Sequence, residues 1–226
     1  MTKESERLKA RQLRLQGYSV REIAAKLQVA KSSVSLWVRD IVLSHEQVKA
    51  LKERRRTRVA AARTKAVETN RQRFLQLRQQ YQSEGRVKAR EGSALHLVGC
   101  MLYWAEGAKN RSEVIFVNSD PEMMRLFVHF LRVSLGVTDE ELVLRIYCRS
   151  RDHAEIARME AYWLELLKLP PSAVRKAVFK TGSKLTHNHL VNGICRLTVK
   201  KSFRYAQHIF GAIQEYGGFD RPAWLA

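Results

Sequence analysis

At 226 residues the chain has room for one large domain or two small ones, and its 45% apolar share can fill a core, which argues against wholesale disorder. Lys and Arg outnumber Asp and Glu 41 to 22, giving a net charge of +19 and a pI near 10.3. Such a surface attracts polyanions, nucleic acid first and anionic lipid second. No apolar run approaches the roughly 20 residues of a membrane-spanning helix, and residues 1–6 lack the apolar core of a secretory signal. Cys100, Cys148 and Cys195 form no C-x-x-C pair, so neither a zinc module nor a disulfide framework is expected, and the expected location is a reducing cytoplasm.

Residues 1–44 read as an all-α domain of three helices. A first helix over about 3–16 stops at Gly17, and a second over 20–27 turns Ile23, Ala24 and Leu27 inward. Gln28 and Val29 make the turn. A third helix over 31–41 sends Val34, Trp37 and Ile41 to the core, and its other face shows Lys31, Ser32, Ser35 and Arg39, with Ser33 beside them. A helix fits the DNA major groove; Lys and Arg pair with guanine O6 and N7, and short serines let the backbone come close. The stretch Gly17–Ile41 resembles the helix-turn-helix of bacterial recombinases and regulators, with Gln28 where the turn often has glycine. The resemblance implies sequence-specific binding of double-stranded DNA. The competing reading, a three-helix bundle that docks protein, fits the positive charge less well.

Residues 45–92 carry 14 basic and 5 acidic residues and read as a long basic linker helix. Ser44 and Gln47 form a capping box at its start. Good helix formers fill 46–82, and Ser83-Glu84-Gly85 is expected to end it. Arg54, Arg55, Arg56 and Arg58 either neutralise phosphates or form a solvated, charged linker; their position just after the third helix favours phosphates.

From Ser93 the texture changes. Helices are expected at 94–106, 121–135, 153–168 and 203–216, and strands at 113–118, 141–149, near 174–180 and near 194–200. This is an α+β or mixed α/β domain over 93–226. Pro121 at a helix start, Gly136 at a helix end and Asp152 as an N-cap stand in their usual places. Trp163, Phe127, Phe130 and Tyr162 are expected in the core. His187, Asn188 and His189 with Cys195 read either as metal ligands or, more simply, as a surface loop. No glycine-rich phosphate loop and no G-x-S-x-G turn occurs.

The segment Leu95–Lys109 is an apolar helix ending in Glu106-Gly107, followed by the strand and the helix entry Asn118-Ser119-Asp120-Pro121. It resembles the motif helix of the LAGLIDADG homing endonucleases, with Leu102, Ala105, Glu106 and Gly107 matching best. In that family the motif helix packs on its twin, and the terminal acid holds a divalent metal. The resemblance implies Mg²⁺ at Glu106, charge stabilisation by Lys109 or Lys200, and a homodimer, because one motif alone is present. Met101 departs from the small residue the family places at the helix contact. Two functions follow: a metal-dependent site-specific DNA endonuclease, and a non-catalytic transcription regulator whose second domain dimerises and adds DNA contact.

Overall fold

A computed structural model describes residues 3–179 and 190–225. The chain forms two compact units, Met1–Gln72 and Arg73–Ala226.

The first unit holds α1 (Lys3–Leu15), α2 (Val20–Leu27), α3 (Lys31–Trp37) and the start of α4 (His45–Arg90). Ala10, Ile23, Val34 and Val38 form its buried core, with Leu13, Ala24, Leu27, Val29, Trp37 and Ile41 packed around them. Ser19 and Glu22 close a reciprocal capping box at the start of α2. Gln28 caps its end in the left-handed region at φ 55°, so it takes the conformation for which the turn usually has glycine. The third helix is shorter than the pattern predicts and stops at Trp37, which leaves Arg39 in the turn that follows. The reason is a side-chain clamp. Arg11 donates to the Trp37 carbonyl at 2.9 Å and to both Asp40 carboxylate oxygens at 2.7 Å, fastening the chain as it leaves the helix. The Arg11 hydrogen bonds hold the Asp40 carboxyl down to about 2.

The capping box at α4 is present: the Ser44 N–H donates to Gln47 Oε1 at 3.0 Å, and the Gln47 N–H donates to Ser44 Oγ at 3.2 Å. The expected stop at Ser83-Glu84-Gly85 is absent, and α4 continues to Arg90. Gly85 marks a helix crossing instead. A Cβ there would lie 2.0 Å from the His208 carbonyl oxygen, and a Cβ at Gly211 would lie 2.0 Å from the Gln82 carbonyl oxygen. The two glycines sit on opposite sides of one close contact between α4 and α8 (Phe203–Gly217). Within the middle segment 45–92, His45–Arg90 is therefore one helix that contributes residues to both units.

The second unit adds α5 (Ala94–Glu106), β1 (Ile115–Asn118), α6 (Pro121–Leu135), β2 (Leu142–Cys148), α7 (His153–Leu167), β3 (Val174–Phe179) and β4 (Ile194–Val199). The strands form one mixed sheet in the order β1-β4-β2-β3. β4 is antiparallel to both of its neighbours, and β2 and β3 run parallel across the α7 connection. Burial alternates along β2 and β4, so one sheet face enters the core and the other does not. Phe116, Phe127, Phe130, Leu144, Ile146, Trp163 and Ile213 lie in that core, and Tyr162 packs against it half-buried. Asp152 caps α7 as expected, and Asp120 caps α6 ahead of Pro121. Gly99 of α5 lies against the Phe130 ring, so the small residue beside Met101 serves a contact with α6 of the same chain. His96 is buried between Tyr216, whose hydroxyl lies 2.8 Å from Nδ1, and His208, whose Nε2 lies 3.0 Å from His96 Nε2. Burial pushes His208 down to about 4 and lowers His96 as well. The residues His187, Asn188 and His189 lie outside the described residues.

Candidate nucleic-acid interface

The outward side of α3 carries Lys31, Ser32 and Ser35, all exposed, with Ser33 half-buried and Arg39 exposed in the turn beyond. Lys31, Ser32, Ser35 and Arg39 make no hydrogen bond within the described residues, so their donors face solvent. Leu36 stands on the same side at 62% exposure. The sequence reading passed over Leu36, although its place one residue after Ser35 and four after Ser32 puts it on that face. An exposed leucine beside lysine and serines suits a surface that meets both base edges and thymine methyl groups.

The arginines after α3 do not act as one group. Arg54 was expected at phosphates, but it docks α4 onto its own unit. Its guanidinium donates to the Gly17 carbonyl at 2.9 Å, lies 3.8 Å from the Glu22 carboxylate and sits 5.9 Å from the Tyr18 ring centroid. Gln47 adds a bond to the Leu15 carbonyl at 2.8 Å. The Ser19 N–H holds Glu22 below the usual carboxylate range, with Arg54 and Arg58 adding to the effect. Arg56 pairs with Glu53 one turn back at 3.2 Å. Arg55 and Arg58 remain exposed on α4.

The three catalytic candidates differ in what they bond. Glu106 is exposed at the end of α5, with no hydrogen bond or ion pair among the described residues. Lys109 donates to the Trp104 carbonyl and closes the end of that same helix. Lys200 donates to the Glu140 carbonyl at 2.6 Å, which ties the end of β4 to the start of β2. Both lysines thus hold backbone ends. Among the described residues no group of three or more His, Cys, Asp or Glu side chains is placed to hold a metal ion.

A basic feature that the sequence reading missed lies on the sheet. Arg145 of β2 is paired in register with Arg196 of β4 on one side and Arg175 of β3 on the other. The buried neighbours Leu144, Ile146, Cys195 and Leu197 force Arg145 and Arg196 to the opposite face. Arg196 donates to the Tyr147 hydroxyl at 3.0 Å. The alternation in β2 and β4 already placed single arginines on an outer face. Only the strand order brings the three into one row.

Residues 1–42 match the family model of a homeodomain-like domain. With three helices around one small core, this segment is a helix-turn-helix domain. No curated protein and no solved structure matches the chain. Among the described residues no helix is long and apolar enough to cross a membrane.

Proposed function

We propose that the chain is a sequence-specific, double-stranded DNA-binding protein in which the helix-turn-helix reads bases and the second unit adds phosphate contacts and dimerises. The observation that carries this reading is the outward side of α3, where Lys31, Ser32, Ser35 and Leu36 are exposed and, with Arg39 beyond, make no side-chain hydrogen bond or ion pair among the described residues. Arg55 and Arg58 are exposed on α4, and the row of Arg145, Arg196 and Arg175 supplies a second cationic surface. The homodimer is supported by α5, which turns Leu97 and Val98 outward at 39% and 44% exposure, with Met101 half-buried a turn on. A second α5 laid on this stripe would cover it.

The regulator reading fits the site better than the endonuclease. Mg²⁺ takes octahedral oxygen ligation, with one or two carboxylates from protein and the rest from water and phosphate. Among the described residues Glu106 belongs to no group of three or more His, Cys, Asp or Glu side chains placed to hold a cation, and Lys109 and Lys200 donate to carbonyls. Cleavage would require a second copy to bring its own Glu106.

The test is selection of bound duplexes from a randomised library, followed by affinity measurement of Arg39→Ala on the selected site. We expect a selected motif and a loss of roughly 1–3 kcal/mol with relaxed choice at one base pair. A library that yields no motif overturns the reading. Incubating the selected duplex with Mg²⁺ separates the two functions. The regulator leaves it intact, whereas the endonuclease cuts it in a manner abolished by Glu106→Gln.

A further inference from the structure

Within the first unit, the stretch of α4 beyond its docked base has no tertiary partner. Every residue from Arg55 to Gln72 is exposed. Among the described residues the hydrogen bonds and ion pairs of this stretch stay within α4 itself. A helix so placed is held by its own propensity and side-chain pairs alone. Residues 55–67 hold five basic residues and no acid.

The cations of this stretch divide by what they bond. Arg56 pairs with Glu53 at 3.2 Å and Arg71 with Glu68 at 4.0 Å, and Glu68 also accepts from Gln72 at 2.7 Å. The side chains of Arg55, Arg58 and Lys65 make no hydrogen bond or ion pair among the described residues. Positions three and four apart share one side of a helix. Steps of three, four, three and four lead from Arg55 through Arg58, Ala62 and Lys65 to Thr69. Three unengaged cations and two short residues therefore lie in one line. Arg63, two residues before Lys65, is turned about 200° away from it.

The length of the line selects a partner. Arg55 and Lys65 are about 15 Å apart along the helix axis. A small anion reaches one or two of the three cations. Duplex DNA carries one charge about every 1.7 Å of its axis and so presents about nine phosphates over that length. An anionic bilayer would need a broad apolar side to enter it, and Val59 and Val67 are the only large apolar side chains in 55–72. The base of the stretch is fixed, since Arg54 and Gln47 donate to the Gly17 and Leu15 carbonyls. Such preorganisation lowers the ordering cost of binding. We infer that residues 55–69 of α4 lie along the backbone of duplex DNA, with Arg55, Arg58 and Lys65 on phosphates. The contact presupposes the DNA-binding reading of the first unit and adds to it an arm that makes no base choice.

Two triple variants of the full chain test this. The first is Arg55→Gln, Arg58→Gln and Lys65→Gln. The second, Arg56→Gln, Arg63→Gln and Arg71→Gln, removes the same charge from other sides of the helix. Glutamine has nearly the helix propensity of arginine and lysine, so α4 persists in both. Affinity is measured on the library-selected duplex and on a shuffled duplex from about 50 to about 300 mM salt. The first triple lowers the slope of log affinity against log salt by about 2.7 on both duplexes and leaves their affinity ratio unchanged. The second lowers it by less than about 1. Hydrogen exchange of the unaltered chain gives a second measure. Amides of 55–69, which open locally because nothing packs on them, slow by roughly fivefold or more on the shuffled duplex.

The inference is overturned if the two triples lower the slope alike, if the first leaves it unchanged, or if exchange over 55–69 stays as in the free chain. A first triple that releases the protein from vesicles of phosphatidylserine and phosphatidylcholine, with its DNA slope unchanged, assigns the line to a membrane surface and also overturns it. Failure of the library to yield a motif counts against α3 as the reader of bases, and the slopes on the shuffled duplex still decide the role of α4.

Discussion

Replacing Gly85 by alanine tests whether the end of α4 is built into the second unit. In an exposed helix the change would stabilise by about 1 kcal/mol, since alanine has the higher helix propensity. Here the new Cβ would stand 2.0 Å from the His208 carbonyl oxygen, 2.8 Å from its carbon and 3.0 Å from the Ala212 nitrogen. A carbon and an oxygen in close contact sit about 3.3 Å apart, so α4 and α8 must part by roughly 1 Å. All three obstructing atoms are backbone and cannot swing aside. Overpacking of a core costs about 1–3 kcal/mol, and parting the helices also strains the Gln82–Gln214 and Gln82–Gln207 bonds. The clash outweighs the propensity gain, and the net expectation is a loss of about 1 kcal/mol. Urea unfolding measures it, with Thr64→Ala as control, because Thr64 is exposed on the same helix and its hydroxyl bonds only the Ala60 carbonyl. The control should change stability by less than about 0.7 kcal/mol. A Gly85→Ala variant as stable as the wild type would refute the crossing.

Gln28→Gly should stabilise the first unit by about 0.5–1 kcal/mol in thermal unfolding, because it relieves a left-handed residue whose φ is 55°; a destabilised variant would show that the Gln28 side chain matters more than its backbone. Stability should fall as the pH drops from about 6.5 to about 4 and stay level above 7. The unfolded His208 protonates near its ordinary value, whereas the folded one resists until about 4, a difference of up to about 3 kcal/mol. His208→Gln should flatten that limb of the urea-midpoint profile, and an unchanged profile would remove His208 as its source. Arg145→Ala should weaken binding to all duplexes alike and lower the slope of log affinity against log salt by about 1; an unchanged slope would take the sheet face out of the DNA contact.

Much of the fold was legible because local chemistry set it. Asp120-Pro121, Gly136, Asp152 and the Ser44–Gln47 box mark helix ends through their own backbone preferences, and the structure uses each of them. The misreadings share a non-local cause. Gly85 looks like a helix stop in sequence, and only the backbone of α8 against it explains why α4 carries a glycine there without ending. The third helix looked four residues longer because the clamp that closes it, Arg11 on Trp37 and Asp40, spans 26 and 29 residues. The arginine row was invisible for the same reason, since strand order decides which side chains become neighbours.

The net charge of +19 signals a polyanion partner, but it does not number the phosphate contacts. Arg11, Arg54, Arg86, Arg90, Arg132 and Arg204 all face carboxylates of the chain itself. Arg158 and Arg78 donate to carbonyls at 2.7 and 2.9 Å. These cations hold structure, and moving them onto phosphates would leave carboxylates or carbonyls unpaired. The side chains open to DNA are fewer: Lys31, Arg39, Arg55, Arg58 and Lys65 in the first unit and, in the outer sheet row of the second, Arg145, since its row neighbours Arg196 and Arg175 already donate to the Tyr147 hydroxyl and to the Ser172 and Val174 carbonyls. Long-range attraction therefore comes from the whole charge, whereas the salt dependence of the bound state counts only the few residues whose donors the fold leaves unengaged.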